Sequence, residues 1–575
     1  PSEDMPLYFH PLLSLASDSD VTYTGTLYMA LNDTYRFGGG TGTLSLGQTL
    51  ADTRFSAANL VVDGQTYSGG VTELLSAVTL TGQVSVMGYD AQQSPVHSGD
   101  ATLRLSADDA LTTAASVTLK DGGILDINGT QQTLRHLSME AGSVLTDSSA
   151  DGRGTLELTV GADETETLHG TLELRNMVKR GEGTLKLGGN GQYGTLNVEE
   201  GTLSLASATA LSSVGQTVVQ SGAVLQTNNN DSDGRIVLAG GTLESGTSTL
   251  NGTVYGASGT SVLHNADSQT TKLTGSVAAA ADATLRLTGG TFAISGATVN
   301  EEENGGTLEM AGTRLSFTGA DTTVNGTLRA DGSAMADKSV SLYSDRDGNN
   351  SARNINHLEI AEGTTLKVSE RTWNTIWNIH ELSGSGTLQW DSGTTHYYSS
   401  RMVLDGDNSF SGNIVFNRTR EPITERVYES YAVLAHDGAA KNATVTVDGI
   451  NAGNIMSLAL NTENASMKGL NGNTFSALYA GDAVAGAGNN KDSLAMFREH
   501  PVSTREATLT ITGAGSNTFS GNVYRGEDGK GISVVMNGSG SQTFNGEVVE
   551  LQDVTVNSGY LMLFSSGADV AGSIT

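Results

Sequence analysis

The chain has 575 residues, 73 of them Gly, 6 Pro and none Cys, and carries 62 acidic against 31 basic side chains for a net charge of −31. That balance repels phosphate and leaves no Lys/Arg stripe, which excludes nucleic acid as a partner. No run nears the roughly 20 apolar residues of a membrane-spanning helix, and the absence of Cys removes disulfides, thiolate catalysis and Cys-based zinc sites.

Residues 1–24 hold three of the six prolines, Pro1, Pro6 and Pro11, and read as an irregular N-terminal cap or a flexible end. The start at Pro1, without Met or a leader, reads as that of a processed or excised piece. From residue 25 the chain becomes repetitive. Gly-Thr-Leu begins at Gly25, Gly42, Gly154, Gly170, Gly183, Gly194, Gly201, Gly241, Gly306, Gly326 and Gly386. Random ordering of this composition gives about one occurrence, so internal repetition outranks any local signal. Most copies extend into alternation, as in Gly183-Thr-Leu-Lys-Leu187 and Gly201-Thr-Leu-Ser-Leu205. Side chains on a strand alternate faces, so both Leu point inward while Thr and the intervening polar residue point out. Gly, Asn and Asp crowd the gaps, as in Asn228-Asn-Asn-Asp231, which is turn chemistry. The same small unit recurring without a compositional break predicts an all-β chain: one long parallel β-helix over residues 25–416, with irregular turns and coils of roughly 20–25 residues.

Residues 370–400 contain all three tryptophans, Trp373, Trp377 and Trp390, with Tyr397 and Tyr398 close behind. Exposed rings stack on sugar faces, so these five are the candidate glycan or partner contacts; the alternative is that the rings fill the core at an irregular coil. Residues 417–505 break the rhythm. Glu425–Leu434 and Lys491–Arg498 read as strand-and-short-helix excursions from the β-helix, or as repeat decay with a tolerated insertion.

Residues 506–575 carry a more specific pattern: Ala507-Thr-Leu-Thr-Ile511, then Asn517-Thr-Phe-Ser-Gly-Asn-Val523, then Gln542-Thr-Phe-Asn-Gly-Glu-Val548 and Val554-Thr-Val-Asn-Ser-Gly-Tyr-Leu-Met-Leu563. An earlier version is Gly384-Ser-Gly-Thr-Leu-Gln-Trp390 followed by Asn408-Ser-Phe-Ser-Gly-Asn-Ile414. An apolar strand, Gly, a polar spacer, Asn-Thr-aromatic-Ser-Gly and a second strand together resemble the passenger-associated repeat of autotransporter proteins. The resemblance covers four or five windows, about a quarter of the chain. It implies a right-handed parallel β-helix passenger, secreted and displayed at the cell surface on the extracellular side of the outer membrane, retained or released. It also implies a covalently linked outer-membrane β-barrel beyond Thr575, the chain stopping where another turn would begin.

Chemistry is sparse by comparison. No His-Glu-x-x-His pair occurs, which leaves a zinc protease site without basis. Trp390-Asp-Ser-Gly393 lacks the Gly that precedes a serine-protease nucleophile. Asn229-Asn-Asp231-Ser-Asp233-Gly234 opens like a calcium loop, but position twelve is Gly240 where a Glu ligand belongs. Asp345–Asn349 fails in the same way. The expectation is therefore a non-enzymatic adhesin with no cofactor, binding host or bacterial surface glycans or proteins, or itself. The alternatives are a β-helix polysaccharide lyase or glycosidase, and a structural stalk for a module outside this segment.

Overall fold

The computed structural model describes residues 14–27, 33–64, 70–88, 99–211, 213–295, 298–300, 305–319, 321–345, 351–370, 375–392, 400–419, 428–451, 454–481, 503–526 and 529–575. Among these there is no α-helix. The chain forms two compact units, residues 1–264 and 265–575, and each is a stack of parallel β-coils, as the repeat predicts.

In the first unit a coil has three strand segments. One coil runs through Leu137–Met139, Val144–Thr146 and Thr155–Thr159. The next uses Thr165–Leu168 for the first face and bends the long strand Thr171–Arg180 over the other two. A third coil repeats this with Thr184–Leu187 and Gly191–Val198. Inward positions come from the Leu-x-Leu alternation: Leu156 and Leu158 are fully buried, while Thr155 and Glu157 stay partly exposed. Parallel register then places like on like. Leu185, Leu203, Leu225, Leu243 and Leu263 form one inward ladder, all of them buried. Each such leucine contributes roughly 1.5–3 kcal/mol on burial.

The second unit follows the same rule with longer strands. Ser351–Ile360 lies between Thr322–Asp331 and Thr375–Gly384, and Thr365–Glu370 lies between Ser339–Ser344 and Thr387–Ser392. Coil length varies, since Thr184 pairs with Thr202 whereas Thr327 pairs with His357. Among the described pairings a coil therefore takes from about 18 residues to as many as 47, the step from Gly472 to Phe519, with the extra residues lying between strands. Within 417–505, Tyr428–Leu434, Ala440–Asp448, Asn454–Leu460, Asn464–Gly472 and Ser476–Ala480 all continue the parallel stack. Thus Tyr428–Leu434, within one of the two segments read as excursions, is an ordinary coil strand; residues 425–427 and 491–498 lie outside the described residues. At the other end, Val21–Tyr23 pairs with Thr43–Leu46 and is already part of a coil, and residues 1–13 lie outside the description.

The Asn-Thr-Phe-Ser-Gly windows occupy matching places on successive coils. Asn517 pairs with Gln542 and Phe519 with Phe544, whose buried rings meet edge to face at 6.1 Å. The glycines of these repeats mark close approach of one coil's backbone to the next. A Cβ on Gly183 would sit 2.0 Å from the Gly161 carbonyl oxygen, and one on Gly546 2.0 Å from that of Gly521.

Gly546→Ala is therefore expected to lower stability by about 1–3 kcal/mol through overpacking. Gly515→Ala, whose added Cβ meets only the Asn517 amide at 3.8 Å, should change it by less than about 0.5 kcal/mol. Denaturant midpoints of the two variants check the difference.

Candidate functional site

Two of the five aromatic candidates can be located. Trp377 and Trp390 are both fully buried. Trp377 follows Arg353 and precedes Met402 in one inward row, and Trp390 follows Val368 and precedes Phe416 in another. The Trp390 ring packs edge-on to Phe416 at 6.3 Å and Trp377 lies 6.3 Å from Phe317. Neither ring has a face free to stack on a sugar; both fill the core, the alternative the sequence left open. Trp373, Tyr397 and Tyr398 lie outside the described residues.

What the sequence did not reveal is a buried polar column around these rings. Register stacks Ser344, Glu370, Ser392 and Arg418 on consecutive coils. The Trp390 indole donates to Glu370 Oε2 at 3.0 Å. Burial pushes the Glu370 carboxyl up to about 7, against the pull of Trp390, Ser400, Trp377 and Ser392 around it. Arg353, buried one coil below Trp377, donates to Ser344 Oγ, Thr322 Oγ1 and the Gly319 carbonyl. Arg418 donates to Ser430 Oγ and Asn454 Oδ1. Ser392, of the Trp-Asp-Ser-Gly motif, is buried against Ser430 rather than offered to a substrate.

The calcium-like segment has another occupation. Asn229 Oδ1 accepts from the Thr247 amide, Asp231 Oδ1 from the Thr249 amide and Asp233 Oδ1 from the Asn251 side chain, each on the following coil. Their oxygens tie coil to coil. Of the Asp345–Asn349 segment, residues 346–349 lie outside the description.

Two surface features stand out among the described residues. A shallow cavity of about 340 Å³ is lined by His436, Asp437, Asn461, Thr462, Glu463 and Arg505. Asp437 is held below the usual carboxylate range there by the Thr462 hydroxyl and the Asn464 amide. In the first unit His136 faces Glu164 and Glu166, with Nδ1 3.7 Å and 3.5 Å from their carboxylate oxygens. His136 lies 28 residues before Glu164 and meets the two carboxylates only because successive coils turn the same corner, so no local motif announces the three together. Burial pushes Glu166 up, opposed by the Leu137 amide and His136 and reinforced by the charge of Glu164.

Comparison with known proteins gave no match to a family model, a curated protein or a solved structure.

The Glu370 carboxyl binds its proton more tightly folded, at about 7, than unfolded, near 4.5. Its contribution to stability is thus complete below about pH 4.5 and lost as the pH rises through 7. Glu370→Gln should lose that decline, matching the parent at pH 4 and exceeding it at pH 8 by up to about 3 kcal/mol. Denaturation midpoints of parent and variant between pH 4 and 8 check this.

Proposed function

We propose that this chain is a passenger segment of an autotransporter-like protein, displayed on the extracellular side of an outer membrane, and that it acts without catalysis in adhesion or self-association. The observation that carries the reading is the outward surface of the coils, where short polar side chains recur once per layer. Thr155, Asn176 and Thr195 form one such row in the first unit. Thr323, Asn354 and Asn378 form another in the second, with Asn378 Nδ2 donating to Asn354 Oδ1 at 2.8 Å. Layers about 4.8 Å apart present such rows as a regular array. A second array of the same kind, or a repetitive surface glycan or protein, meets it with many weak contacts whose effect multiplies along the length. The Asn-Thr-Phe-Ser-Gly windows support the passenger assignment, and the covalently linked barrel it calls for belongs to the same proposal. A chain without Cys, in which each coil packs only on its neighbours, suits passage through a pore followed by layer-by-layer folding.

At a net charge of −31, two copies repel one another, and salt screens that repulsion. Light scattering is expected to report association that strengthens as ionic strength rises from about 0.02 M to about 0.5 M. A chain that stays monomeric throughout, and binds nothing on a glycan array or on cells, removes the adhesive role. Release of reducing ends from acidic polysaccharide would replace it with the enzymatic one.

A further inference from the structure

We propose that His136, Glu164 and Glu166 form a binding site for a divalent transition-metal cation of the zinc class, at a corner where two successive coils of the first unit turn. The inference stands apart from the passenger reading and survives its failure.

The corner is built by the stack itself. His136 is the one residue between the strand Gln131–Arg135 and the strand Leu137–Met139, and it takes a left-handed backbone conformation, φ +52°. One coil on, Glu164 closes the equivalent turn and Glu166 lies on Thr165–Leu168, the strand that pairs with Leu137–Met139. One ligand atom from each side chain falls within 4.8 Å of the other two. Nδ1 of His136 is 3.7 Å from Glu164 Oε2 and 3.5 Å from Glu166 Oε1. These are ion-pair separations, longer than hydrogen bonds, and they bring the three groups around a common space.

The second observation concerns Glu166 alone. Its side chain is only 9% exposed, and its Oε1 is buried with no hydrogen-bond partner, while its Oε2 is anchored by the Leu137 amide at 3.3 Å. A buried carboxylate oxygen without a donor is costly. This one points at the imidazole nitrogen and at a second carboxylate, which is the donor set a cation would satisfy. Ligands about 2.1 Å from a tetrahedral ion stand about 3.4 Å apart, so the spacings from Nδ1 to the two carboxylates need only small closure. Glu164 and His136, 45% and 51% exposed, can supply it, and their open side leaves room for water as the remaining ligand. One imidazole with two carboxylates suits Zn²⁺, Co²⁺ or Mn²⁺ rather than Ca²⁺, which takes six to eight oxygens. A bound ion would clip one coil to the next.

The test is titration of the full chain, stripped of metal, with Zn²⁺, Co²⁺ and Ca²⁺ by calorimetry, together with the visible absorption of the Co²⁺ form. The expected result is one saturable Zn²⁺ or Co²⁺ site per chain, a Co²⁺ band of low-coordinate type, and no comparable Ca²⁺ heat. His136→Asn and Glu166→Gln, with circular dichroism confirming that they fold, should each weaken that site by at least about tenfold. Glu164→Gln, on the exposed turn, gives the same reading without touching the buried carboxyl. Absence of a saturable transition-metal site, preference for Ca²⁺, or undiminished binding by all three variants overturns the proposal.

Discussion

No coil of this chain can hide its own leucines. A three-segment turn of about 20 residues is one layer thick, so its inward rows meet one another across the interior but are closed above and below only by the layers before and after. Everything else follows from that constraint. Register must be kept, because slipping a strand by one residue would turn Leu185 or Leu203 outward and Lys186 or Ser204 inward. Glycine must stand where layers touch, as Gly183 and Gly546 do. Turn length is free to vary, because only the strand segments take part in the stack.

The same constraint makes departures inside the column informative. Lys179 interrupts an inward row between Leu158 and Val198. It is fully buried, and its ammonium group donates to the carbonyls of Gly181, Gly183 and Glu200. Burial brings it down to about 8. A lysine there gathers three carbonyls at one corner, Gly183's also accepting from the Thr202 amide, at the cost of desolvating a charge. Arg353 acts in the same way beside Trp377, reaching the carbonyls of Phe317 and Gly319. Glu370 is different in kind: its indole and hydroxyl surroundings can donate to it, yet no cation is found bonded to it among the described contacts. Burial therefore dominates, and the carboxyl tends toward its neutral form.

The fold was legible because its signal is redundant. Eleven copies of Gly-Thr-Leu carry the strand alternation and, at Gly183, Gly306 and Gly386, the close contact with the preceding coil. Parallel stacking follows from their recurrence. The interior chemistry was not legible, because it depends on register between residues that no short pattern links. Trp390 and Glu370 are 20 positions apart and bonded; in the sequence they are an aromatic in one window and a strand-end acid in another. Ring type alone left Trp377 and Trp390 open between surface platforms and core filling, and alternation along Thr375–Gly384 and Thr387–Ser392 places both on the buried parity. His136 and Glu166 were out of reach for the same reason as Glu370.

The excess of acid also acquires a structural meaning. Carboxylates in the turns accept hydrogen bonds from backbone amides of the following coil: Asp20 from Thr43, Asp108 from Gln131, Asp321 from Ala352 and Asp553 from Ser573. Asp20 and Asp553 are drawn below the ordinary carboxylate range chiefly by those amides. At these four positions a short acidic side chain one layer back supplies the acceptor for an N–H that the backbone ladder does not reach. Calcium-like spacing of Asx residues arises from this function, so it carries no information about ions. Glu166 stands apart from these turn acids. It too accepts an amide from a neighbouring coil, through Oε2, but its second oxygen is buried without a donor and faces a histidine and another carboxylate. A turn acid that only joins layers needs no such company.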